Sequence, residues 1–83
     1  MTLNEFKASL LLLGATISRP HRSNWNSVYT VHIYNISCPN NMVLIVYITE
    51  YPTHSLIKVS NKKCGSNVAN AYNLVLETVN NND

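Results

Sequence analysis

Three groups of residues in this 83-residue chain carry side chains able to perform chemistry. His21 lies in the run Arg19-Pro20-His21-Arg22, and His54 follows Glu50 across the turn at Pro52. Two imidazoles with a carboxylate and an arginine suit acid–base cleavage of a phosphodiester. One ring takes the proton of the attacking hydroxyl, and the other delivers a proton to the leaving group. His21, His54 and Glu50 are therefore the candidate catalytic residues. Lys62 and Lys63 precede Gly65 and Ser66, and paired ammonium groups beside free N–H donors at a helix start suit a bound anion such as phosphate. Cys38 and Cys64 fit no zinc-ligand spacing, so neither a metal nor another cofactor is expected.

Each group also has a plainer reading as surface histidines, solvated lysines and unpaired thiols. The choice depends on which elements position them. The most apolar run, residues 42–49 (Met-Val-Leu-Ile-Val-Tyr-Ile-Thr), is bounded by Pro39-Asn40-Asn41 and by Glu50-Tyr51-Pro52. Its length and β-branched content predict a strand buried on both faces. Residues 28–36 alternate as a strand, with Tyr29, Val31 and Ile33 on one face and Val28, Thr30, His32 and Tyr34 on the other. Residues 55–60 form a third strand with Ile57 and Val59 inward. Asn35-Ile36-Ser37 spells a glycosylation sequon, which matters only in a secreted chain.

Residues 2–13 predict a helix. Thr2 and Glu5 form a capping box, Gly14 supplies the stop, and Leu3, Phe6, Leu10 and Leu13 make one stripe that Leu11 and Leu12 widen. A second helix is expected from an N-cap at Ser66 to about Val79, with Val68, Tyr72, Val75 and Val79 on its apolar face. Residues 15–26 read as a long surface loop with a short extended piece at 16–18. The predicted architecture is α+β, in the order α-β-β-β-α, a three-stranded antiparallel meander with two helices packed on one face. Residues 1–79 form one domain, and residues 80–83 a disordered tail. Chain direction then places both helix N-termini, Cys38 and Cys64 at one end, with residues 15–26 and the Pro52 turn at the other.

In element order and length the chain resembles the double-stranded-RNA-binding domain. The resemblance in motif lies in Lys62-Lys63 ahead of Val68-Ala69-Asn70-Ala71. It implies that the lysine pair meets phosphates and that the first hairpin loop, residues 37–41, enters a minor groove. His21 also resembles the single histidine of HicA-type toxins, small ribonucleases of broadly similar fold, which implies an RNA-cleaving alternative.

Composition points elsewhere. A net charge of +2 is too small to indicate a nucleic-acid or membrane partner, whereas 46% hydrophobic against 12% charged residues is an apolar excess for so small a domain. If both helices cover one sheet face, the other is left bare. We expect Val28, His32, Tyr34, Val43, Ile45 and Tyr47 to form that interface, in a homo-oligomer or with a protein partner. The expected function is a non-enzymatic protein-binding or regulatory protein, with an RNA-binding module as the alternative and the ribonuclease third. Abundant asparagine suits a phage or mobile-element accessory or inhibitor protein. Glu5 ahead of the apolar run 8–15 argues against a signal peptide, so a cytoplasmic location is expected.

Overall fold

The computed structural model describes residues 1–18, 29–38 and 41–80, together with the backbone of residues 21–22. The protein is α+β, with helix α1 (Leu3–Leu12), strands β1 (Thr16–Ile17), β2 (His21–Arg22), β3 (Thr30–Ser37), β4 (Val43–Glu50), β5 (Ser55–Val59) and β6 (Lys62–Gly65), and helix α2 (Val68–Asn80). The expected meander is β3-β4-β5, and it is extended on both sides. The antiparallel sheet has the order β1-β3-β4-β5-β6, with β2 also paired to β3. α2 includes Asn80, which was expected in the tail, and residues 81–83 lie outside the described residues.

The helix ends follow from local chemistry. Thr2 accepts from the Glu5 N–H and Glu5 accepts from the Thr2 N–H, which satisfies two otherwise orphan donors of α1. At α2 the cap is Asn67, whose Oδ1 accepts from the Asn70 N–H at 3.0 Å. The expected cap, Ser66, instead donates its hydroxyl to the Ser55 carbonyl at 2.7 Å.

Both helices lie on one face of the sheet. Phe6 and Leu10 of α1 and Ala71 and Val75 of α2 are buried with Tyr34, Ile36, Leu44, Val46, Ile48, Ile57 and Val59 in a single core. Phe6 meets Tyr72 edge-on with ring centroids 6.5 Å apart, which joins the two helices. Leu11 and Leu12 do not widen the buried stripe of α1 as expected, because both are exposed.

The two extra edge pieces correct the expected sorting of the ends. β1 and β6 each reverse the chain once more between the meander and a helix. Consequently α2 begins beside Ser55, and α1 places Lys7 on Glu50 at that same end of the sheet. The helix starts therefore accompany the Pro52 turn and not the β3–β4 hairpin.

Candidate functional site

The register of β3 against β4 decides which side chains share a face. His32 pairs with Ile48, Tyr34 with Val46 and Ile36 with Leu44, and this set faces the helices. Val31 pairs with Thr49, Ile33 with Tyr47, Asn35 with Ile45 and Ser37 with Val43, and this set points away from them. Val43, Ile45 and Tyr47 thus lie on the outer face as expected. Tyr34 and His32 do not: Tyr34 is core, and His32 lies at the core's polar end. The expected grouping mixed two faces, which a fixed antiparallel register forbids. Val28 lies outside the described residues.

At the polar end, Glu50 is the shared partner of two side chains from different elements, Lys7 and His32. Lys7 of α1 hydrogen-bonds to Glu50 Oε1, and His32 Nε2 of β3 lies 2.9 Å from Glu50 Oε2. The Lys7 hydrogen bond is the main reason the Glu50 carboxyl is held below the ordinary carboxylate range. Partial burial opposes this, and the His32 bond adds to it. His54 engages other groups. Its ring stacks on Tyr51 with centroids 4.5 Å apart, its Nδ1 lies 3.0 Å from Thr53 Oγ1, and Tyr51 packs on Tyr29 at 5.5 Å.

The expected catalytic set is therefore not assembled as foreseen. Glu50 is occupied by Lys7 and His32, while His54 is held by Tyr51 and Thr53. The His21 backbone pairs with Val31, and its side chain lies outside the described residues. The clefts beside Leu44 and Leu74, beside Cys38 and Val43, and beside Leu56 and Lys63 do not include Lys7, His32 or Glu50. The Lys7–Glu50 contact ties α1 to the sheet. Among the described residues, no three potential ligands gather to hold a metal ion.

The expected anion site is also dispersed. Lys62 and Lys63 lie within β6, where successive side chains point to opposite faces, and not at a helix start. Lys62 pairs with Val59 and borders a cleft with Leu74 and Thr78, whereas Lys63 pairs with Lys58 on the outer face. Gly65, at φ 59°, ends the strand, and Ser66 is engaged by Ser55. Cys38 is buried, Cys64 is half-buried, and both are free thiols.

What the geometry does gather is the outer face. Val31, Ile33, Ile45 and Tyr47 are half-buried, while Val43 is 56% and Leu56 41% exposed. No described element packs over them. One row crosses four strands, Ile33–Tyr47–Lys58–Lys63, and so runs from aliphatic through aromatic to cationic. The Lys58 ammonium lies 5.6 Å from the centre of the Tyr47 ring. Beside this row, Thr49, Leu56, Ile57, Lys58, Lys63 and Gly65 line a mostly apolar groove of about 230 Å³. The lysines missing from the expected interface became visible only with β6, whose pairing sets Lys63 against Lys58.

No protein-family model matches the chain, and no curated protein or solved structure is significantly similar to it. No helix among the described residues is long and apolar enough to cross a membrane.

Proposed function

We propose that the protein is a non-enzymatic, cytoplasmic protein-contact module that works through the outer face of its sheet. The observation that carries this reading is the continuous apolar surface of Val31, Ile33, Val43, Ile45, Tyr47 and Leu56 on the face opposite both helices. A small domain exposes such a patch at a cost in solubility, and a partner removes that cost. The aliphatic centre with tyrosine and lysine beside it matches the apolar core and polar rim of protein interfaces. Two free thiols support a reducing compartment.

The test is a photocrosslinking residue placed at Thr49 on the outer face, or at Asn73 on the exposed side of α2, in cells expressing the full chain. Discrete protein adducts from Thr49 that Ile45→Glu abolishes are expected. Equal adducts from both positions, or none from Thr49, contradict the proposal.

A further inference from the structure

From the charge layout of that same face we infer the chemistry of its partner: an acidic segment of another protein, with an aliphatic side chain seated in the Leu56 groove and carboxylates beside Lys58 and Lys63. This inference rests on the protein-contact reading above and narrows it.

Three observations support it. First, Lys58 and Lys63 are direct cross-strand neighbours on one face. Like charges in that position repel and weaken the strand pair unless an anion lies between them. Second, the chain has four acidic residues, and none of the described ones offsets this pair. Glu5 belongs to α1, Glu77 to α2, and Glu50 is turned to the helix side by Lys7 and His32, while Asp83 lies outside the described residues. The outer face is thus cationic along β5–β6 with no internal counter-charge among the described residues. Third, Thr49, Leu56, the side-chain-free Gly65 and both lysines line one mostly apolar groove, so it suits an aliphatic side chain with a carboxylate beside it.

The mode of docking is also constrained. Sheet edges invite added strands, but here both edges carry the features that discourage them. β6 has two lysines and an irregularity opposite Ile57 and Lys58, and β1 and β2 are two residues each. The free surface is the face and not the rim. A second copy of this chain is a poorer occupant, since it presents the same cationic, carboxylate-free surface. RNA is also a poorer fit, because Lys58 and Lys63 are the two cations among the described residues of the outer face, too few to follow a phosphate backbone.

The experiment is selection of a random peptide library on the immobilised full chain, repeated on K58E/K63E and on I45E. Enriched peptides are expected to place Asp or Glu beside Leu, Ile or Val. Their affinity should fall about tenfold in K58E/K63E and with added salt. The charge-reversed protein should select basic peptides instead. Peptides that require Ile45 but show no acidic bias would overturn this inference and leave the protein-contact reading standing. Binding indifferent to I45E would overturn both. Self-association that saturates the face, or tighter binding of a random-sequence RNA than of any selected peptide, would also overturn the inference.

Discussion

The two faces of this one sheet are built from nearly the same residue types and have opposite fates. The face toward the helices carries Tyr34, Ile36, Leu44, Val46, Ile48, Ile57 and Val59, all buried. The outer face carries Val31, Ile33, Val43, Ile45, Tyr47 and Leu56, none fully buried. Hydrophobicity alone does not separate them, because β4 reads as one continuous apolar run. What separates them is the parity of the strand register and the side on which the chain lays its helices. An apolar side chain stabilises the fold only where another element removes it from water. On the outer face, the same composition is available for association.

The largest expected contrast follows from that difference. Ile48→Ala on the covered face should cost about 2–5 kcal/mol, because it removes buried methyl groups and leaves a cavity under the helices. Ile45→Ala, three positions back on the outer face, should cost about 1 kcal/mol or less, since it creates no enclosed void. Denaturant unfolding of both variants checks this. Equal losses would mean that the outer face is packed after all.

Next in size is Gly65→Ala. The position has a φ of 59°, and an added Cβ meets nothing within 4 Å, so the cost is backbone strain alone, about 1 kcal/mol. Asn at this position, which tolerates the left-handed region, should recover part of it, as thermal unfolding of both variants would register.

The tie between α1 and the covered face is smaller. Glu50→Gln should cost no more than about 1 kcal/mol, because the ion pair with Lys7 is partly solvated. The folded carboxyl has its pKa lowered, so its contribution is fully present above the ordinary glutamate value of about 4.3. It is lost as pH falls through the lower folded value. The stability difference between wild type and Glu50→Gln should therefore shrink on acidification below about pH 4, as urea titrations at several pH values would register. A difference that grew at low pH would contradict the assignment.

The smallest effect has the opposite sign. Lys58→Glu converts a repulsive cross-strand pair with Lys63 into an attractive one, and should stabilise the protein by about 0.2–1 kcal/mol. A gain in stability with loss of the partner would mark Lys58 as retained for binding.

The sequence was legible where a signal was local. The capping box at Thr2 and Glu5, the stripe of Phe6 and Leu10, the meander and the inward Ile57 and Val59 all follow from spacing. β6 was not legible, because Lys-Lys-Cys-Gly has neither alternation nor β-branching and becomes a strand only through pairing with β5. Missing it inverted the ends of the molecule and placed Lys62 and Lys63 at a helix start. The face of Tyr34 was ambiguous for a different reason. Both sides of β3 are apolar, and only the register across the Cys38–Met42 turn, closed by the Cys38 N–H to the Met42 carbonyl at 2.8 Å, selects one. The Glu50 cluster escaped notice because Lys7 and His32 are far from Glu50 in sequence and carry no motif. On the outer face, Val43, Ile45 and Tyr47 follow from the alternation of β4, whereas the parity expected for β3, with His32 and Tyr34 outward, is reversed.

The most direct test of the central claim is solvent paramagnetic relaxation of the methyl groups in a dilute solution of the full chain. The account predicts strong broadening of Val43, Ile45 and Leu56, with Val46, Ile48 and Ile57 protected beneath the helices. Protection of Ile45 equal to that of Ile48, unchanged on further dilution, would show that the chain covers its own outer face and would contradict the account.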